Sequence, residues 1–143
     1  MAPLGWVLLV EDEADHRVLV NEALRRLDGE VRIHEVGSAR EAVDWMRGVA
    51  GRPELLDEGV VILDLGLPGP SGFRILEWMR DTPALAEIPV VVFTASENPM
   101  DAEHAFNLGA RGYFQKPTDF RRYLEIFGRV FKMAEGSPAG DER

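Results

Sequence analysis

The chain has no cysteine, which excludes a disulfide framework, thiolate chemistry and cysteine-ligated zinc or iron–sulfur sites. Its three histidines, His16, His34 and His104, show no ligand spacing such as His-x-x-x-His, so a metal here is expected to be held by oxygen. Long apolar runs are missing as well. The longest, Trp6–Val10 and Val60–Leu63, fall far short of the roughly 20 residues that cross a bilayer, and the opening Met-Ala-Pro-Leu lacks the basic region of a signal peptide. The expectation is a cytoplasmic protein that does not enter a membrane. Lysine and arginine never gather beyond pairs such as Arg25-Arg26 and Arg121-Arg122, and the formal net charge is −9. Such a surface repels a polyanion, so direct nucleic-acid binding is not expected.

What is present is an ordinary globular balance over 143 residues, 45% hydrophobic and 29% charged, enough for one domain with a sizeable core. Trp6–Val10 reads as a buried strand that stops at Glu11-Asp12. After it, His16, Leu19, Val20, Ala23, Leu24 and Leu27 fall at helical spacing until Gly29. Val31–Val36 has strand composition. Ser38-Ala39-Arg40-Glu41 forms a capping box for a helix to about Arg47. A longer connection from Gly51 to Gly59 leaves room for one helical turn at Pro53–Leu56, and Val60–Leu63 is the next buried strand. Ser71 can cap a helix that carries Phe73, Ile75, Leu76, Trp78 and Met79 and stops at Pro83. Ile88–Phe93 is a strand with Thr94 at its end, Pro99–Gly109 a weakly marked helix, Arg111–Gln115 a short strand ending on Lys116-Pro117, and Asp119–Ala134 the longest amphipathic segment. One domain over 1–134 is therefore expected, with 135–143 as a flexible tail. Strands alternating with helices imply a parallel sheet covered on both faces, with sites at the carboxyl ends of the strands.

Those ends carry Glu11 and Asp12, Asp64, Thr94, and Lys116. Asp64 closes a strand that is otherwise wholly apolar, and a carboxylate so near a core is costly unless cations or donors sit beside it. Carboxylates at Glu11, Asp12 and Asp64 would raise each other's pKa, which suggests a Mg²⁺ site. A carboxylate with Mg²⁺, a lysine and a hydroxyl around it is suited to accept a phosphoryl group by in-line attack, giving an aspartyl phosphate. Taken singly, Glu11-Asp12 would be a helix cap, Lys116 a solvated lysine and Thr94 a β-former; the joint pattern is what argues for a site.

Val-Glu-Asp at 10–12, Leu-Asp-Leu-Gly-Leu-Pro-Gly-x-x-Gly at 63–72, Phe-Thr-Ala at 93–95 and Gly-Tyr-Phe-Gln-Lys-Pro at 112–117 resemble the receiver domain of two-component response regulators. The resemblance covers about Leu4 to Ala134. It implies a flavodoxin-like, doubly wound (βα)5 α/β fold with a five-stranded parallel sheet in the order 2-1-3-4-5. It also implies that Asp64 is phosphorylated by a sensor histidine kinase and that Mg²⁺ is held by Asp12, Asp64 and the Gly66 carbonyl, with Glu11 reaching it through water. Lys116, the Thr94 hydroxyl and the Ala95 amide would hold the phosphate, Tyr113 would be a switch aromatic, and Lys116–Pro117 would be a cis peptide. Gly66 and Ser96 occupy the positions where the family tunes acyl-phosphate hydrolysis. The chain would then be a stand-alone switch rather than an enzyme, and its loops resemble those of single-domain regulators that partner phytochrome-type histidine kinases.

On the last helix Phe120, Tyr123, Leu124, Phe127, Val130, Phe131 and Ala134 share one face, while Ile126 and Met133 form a second row. That pattern, with the family's habit of pairing through this end, leads to an expected homodimer interface at Tyr123, Ile126, Val130 and Met133. Two other functions compete. A haloacid-dehalogenase-type phosphatase also uses a strand-end aspartate and Mg²⁺, but needs an acid two residues on, where Gly66 stands. A receiver-like binding module that works without phosphate would not need Asp64, Thr94 and Lys116 together.

Overall fold

The computed structural model describes residues 4–134 and 140–142. Its strands and helices alternate in the order β1 (Trp6–Val10), α1 (Ala14–Leu27), β2 (Arg32–Val36), α2 (Ala39–Ala50), β3 (Gly59–Leu63), α3 (Gly72–Arg80), β4 (Val90–Thr94), α4 (Pro99–Asn107), β5 (Gly112–Gln115), α5 (Phe120–Ala134) and β6 (Gly140–Glu142), with a short 3-10 turn at Pro53–Leu55 before β3. The sheet is parallel throughout, ordered β2-β1-β3-β4-β5-β6. The expected five-stranded order is therefore present, and β6 extends it at the β5 edge. The flexible tail expected over 135–143 is thus partly paired to the sheet at Gly140–Glu142; 135–139 and 143 lie outside the described residues.

Period-two alternation sends each strand's side chains into two separate cores. Trp6, Leu8 and Val10 of β1, Val61 and Leu63 of β3, Val90 and Val92 of β4 and Tyr113 of β5 pack under α2, α3 and α4. Val7 and Leu9, Val60 and Ile62, Val91 and Phe93, and Phe114 pack under α1 and α5. Because both faces of the inner strands are covered, every residue of β1, β3 and β4 is buried, and the polar Thr94 stands only at the end of β4. β2, an outer strand, exposes Arg32, His34 and Glu35.

Side-chain caps explain two helix starts, those of α2 and α4. Ser38 accepts from the Glu41 amide at 3.2 Å, but its hydroxyl also donates to the Glu41 carboxylate at 3.1 Å, so that half of the expected capping box points to the serine side chain. Asn98 caps α4 by accepting from the Met100 amide at 3.0 Å, with Pro99 at the first helical position, where its missing N–H costs nothing. Ser71 stands at the N-cap of α3 but its side chain makes no capping bond. The loop between β3 and α3 turns on Gly69, at φ +75°, and comes so close to itself that a Cβ on Gly72 would lie 2.5 Å from the Asp64 carbonyl oxygen.

The expected interface on α5 needs correction. Tyr123, Ile126 and Val130 are 3%, 1% and 0% exposed and belong to the core, while Met133 is half-buried against it. α5 lies against both the sheet and α1, so it buries a broader stripe than a helix resting on one surface. The second row read at Ile126 and Met133 is therefore the side that meets its neighbours, and Ile126 is unavailable to a second copy. Ile126→Glu is expected to destabilise the fold by about 4 kcal/mol, the cost of burying an unpaired carboxylate, seen as a lower urea midpoint. Gly72→Ala should cost about 1–3 kcal/mol in the same measurement, because the added methyl meets backbone that cannot rotate away.

Candidate phosphoacceptor site

Sheet register brings the chemistry together. Val10 of β1 pairs with Leu63 of β3, so Glu11 and Asp64 leave adjacent strands side by side, and the Asp64 amide donates to the Val10 carbonyl at 3.1 Å. Thr94 ends β4 opposite Gln115, and the Lys116 amide donates to the Thr94 carbonyl at 2.8 Å. Asp64, Thr94 and Lys116, from three strand ends, thus face one basin of about 350 Å³ at the carboxyl edge, whose rim includes Asp12, Gly66 and Ala95; Glu11 lies buried beside it against Lys116. Glu11, Asp64 and Thr94 are buried polar residues, at 1%, 7% and 2% exposure, whereas Asp12 is exposed.

Each buried acid is answered. Asp64 Oδ1 accepts from the Thr94 hydroxyl at 2.9 Å and from the Gly66 amide at 3.0 Å, and Oδ2 accepts from the Lys116 ammonium at 2.9 Å. Glu11 Oε1 lies 2.6 Å from Lys116 Nζ, and its Oε2 accepts from the Glu13 amide at 3.1 Å. Arg17 holds the loop below by donating to the Glu11 carbonyl at 2.7 Å.

The charges follow from these contacts. Burial opposes the ionised form of Asp64, but Lys116, the Gly66 amide and Thr94 together outweigh it and hold the carboxyl below the usual aspartate range. For Glu11 burial wins over Lys116 and the Glu13 amide, and its carboxyl is pushed up. Burial likewise works against the ammonium of Lys116, yet its hydrogen bonds to Glu11 and Asp64 raise it above the ordinary lysine range. A group raised on folding contributes stability that is complete below its unfolded value and is lost as pH climbs through the folded one. Lys116 thus ties part of the stability to staying below alkaline pH.

Carboxylate oxygens of Glu11, Asp12 and Asp64 all lie within 4.8 Å of one another, a hard-oxygen set of the kind a divalent cation takes. Both oxygens of Glu11 and both of Asp64 already meet protein donors, whereas Asp12 is exposed at the rim of the basin.

Two expectations change. Among the described residues no peptide bond is cis, so Lys116–Pro117 is trans, the isomer favoured for X-Pro by about 0.5–1 kcal/mol. His16, given no site role by the sequence, lines the basin with its Nδ1 2.8 Å from Lys116 Nζ. The signal for it was one of spacing: His16 follows Glu13, the N-cap of α1, by three residues, about one helical turn. Asp101 was missed too; its carboxylate accepts from the Ser96 hydroxyl and ties α4 to the rim. Tyr113 is 1% exposed, its ring packed in the core under α4.

The family description of the response regulator receiver domain matches residues 7–127. The chain belongs to that family. It is 34% identical over 114 residues to the probable methanogenesis regulatory protein FilR2 of Methanothrix harundinacea, covering 80% of this chain and 73% of that one. It is 33% identical over 139 residues to the response regulator Rcp1 of Synechocystis sp., covering 94% and 86%. Its fold superposes on the phosphorylated cyanobacterial phytochrome response regulator RcpA with a TM-score of 0.78 at 26% identity, covering 92% of this chain and 94% of that one. Other relatives are longer: the chain spans 50% of the transcriptional regulator GltR and 25–27% of NtrC proteins.

Lys116→Met should lower stability in metal-free buffer at neutral pH by about 3 kcal/mol, because two buried carboxylates lose their cation. Adding Mg²⁺ should then raise the variant's melting temperature by more than it raises the wild type's, and the wild type's alkaline loss of stability should be smaller in the variant.

Proposed function

We propose that this chain is a phosphorylation-driven switch in which Asp64 accepts a phosphoryl group from the phosphohistidine of a sensor kinase. The observation that carries this reading is the donor pattern on Asp64. A buried carboxylate kept ionised by a lysine, a hydroxyl and a backbone amide is a nucleophile whose neighbours can be handed to an incoming phosphoryl group. A carboxylate oxygen attacks phosphorus, the new O–P bond forms as the N–P bond breaks, and the bonding pair returns to the imidazole of the donor. Lys116 and the Thr94 hydroxyl then turn from the carboxylate to the phosphoryl oxygens, with the Ala95 amide at the rim. Asp12 and Asp64, with the Gly66 carbonyl and with Glu11 through water, would hold Mg²⁺. The metal, when bound, supplies the positive charge that neutralises the transferring group.

The readout is a change of protein-binding surface. Thr94 moves with the phosphoryl group, and Tyr113 lies on the neighbouring strand under α4, so their linkage would carry the change to the α4–β5 surface. A phytochrome-type kinase is the partner we favour, since both Rcp1 and RcpA match along nearly the whole chain, and RcpA is described as a phytochrome response regulator. Action in the cytoplasm belongs to the same reading.

Incubation with acetyl phosphate and Mg²⁺ should give an acid-labile mass increase of one phosphoryl group in the wild type and none in Asp64→Asn, and chelating the metal should abolish it. Rapid turnover of many phosphate esters would instead indicate a phosphatase, and the absence of any Asp64-dependent adduct a binding module that works without phosphate.

A further inference from the structure

Lys116 Nζ touches a third acceptor besides the two acids. It lies 2.6 Å from Glu11 Oε1, 2.9 Å from Asp64 Oδ2 and 2.8 Å from His16 Nδ1. An ammonium carries three hydrogens, and each has one partner here. With an ammonium against it, Nδ1 of His16 accepts, so Nε2 carries the ring hydrogen and donates to Glu13 Oε2 at 3.1 Å. The His16 Nδ1 to Glu11 Oε1 distance of 3.6 Å is too long to compete. A chain of contacts therefore runs from the cap of α1 through the imidazole to the lysine on the far side of the basin, 100 residues away in sequence.

We propose that His16 is a positioning residue for Lys116: by taking one ammonium hydrogen, it fixes the rotation of the other two, one onto Glu11 and one onto Asp64. This rests on the phosphoacceptor reading of Asp64. Of the three partners, only Asp64 is replaced by a phosphoryl oxygen when the group transfers. Glu11 and His16 stay where they are, so the ammonium meets the phosphoryl group already aimed. Without His16 the third hydrogen would turn to water and the lysine would have a single anchor besides the reacting acid. Its side chain is only partly buried, at 29% exposure, so its replacement should leave the fold intact.

The test uses His16→Ala, His16→Leu and His16→Asn, the last carrying a carbonyl oxygen near the place of Nδ1. With acetyl phosphate and Mg²⁺, phosphorylation of Asp64 should slow about threefold to tenfold in the alanine and leucine variants, the worth of one net hydrogen bond at the transition state. The asparagine variant should recover most of the rate. A packing role would give the opposite order, with leucine the better substitute. Independently of phosphorylation, metal-free protein at low temperature should show a slowly exchanging ammonium resonance, assigned to Lys116 by its loss in Lys116→Met. That signal should disappear in His16→Ala and return in His16→Asn. Equal rates in wild type and His16→Ala, or an unchanged ammonium signal, would sink the role of His16 alone. Failure of the wild type to form any adduct would sink the phosphoacceptor reading and this proposal with it.

Discussion

One buried ammonium makes the carboxyl edge of this sheet possible. Glu11 and Asp64 leave adjacent strands in register and end almost wholly buried, where two carboxylates would otherwise force each other to take up protons. Lys116 lies between them, 2.6 Å from one and 2.9 Å from the other, and is itself kept charged by them. The two acids fare differently because their remaining donors differ. Asp64 has a hydroxyl and an amide on its other oxygen and stays ionised, whereas Glu11 has one amide and burial prevails. The group with the richer donor set is the one suited to be a nucleophile.

Much of this edge could be read from residue order, because strand ends are local features. A strand of aliphatic residues that stops on a carboxylate announces itself, and the carboxyl-edge rule for parallel sheets brings Glu11, Asp12, Asp64, Thr94 and Lys116 together without any distance being known. The two-core architecture was equally legible, since strands alternating with helices imply a parallel sheet covered on both faces. What escaped was tertiary in origin. His16 looks like an indifferent residue of an amphipathic helix until β5 delivers Lys116 to it. Ile126 looks surplus to a helix stripe until α1 is seen to flank α5. The pairing of Gly140–Glu142 beside β5 has no local signal, because backbone pairing asks little of side chains.

The family's cis bond at Lys116–Pro117 illustrates the limit of resemblance. It was carried over by analogy, with nothing in the residues to require it, and the described backbone is trans. Lys116 nonetheless reaches both acids, which places the demand on the side chain and on the Lys116 amide bond to Thr94 rather than on the prolyl isomer.

A final step concerns what happens to donors when a phosphoryl group arrives. Every hydrogen now given to Asp64 by Thr94 and Lys116 is needed by the incoming oxygens, so on the proposed reading the carboxylate serves as a stand-in that keeps these donors near their working positions. The cost of reorganisation is then confined to the carboxylate and to the few atoms turning toward phosphorus. Glu11 and His16 would keep the ammonium from following water out of the basin during that exchange. On the proposed reading, because Thr94 is fixed to Lys116 through the backbone and stands on the strand beside Tyr113, a small turn of its hydroxyl would be passed to the core under α4. That core is closely packed, so even a small movement there has to be taken up by neighbouring side chains. Local chemistry at one strand end would thereby be joined to a surface several residues away without any large motion of the sheet.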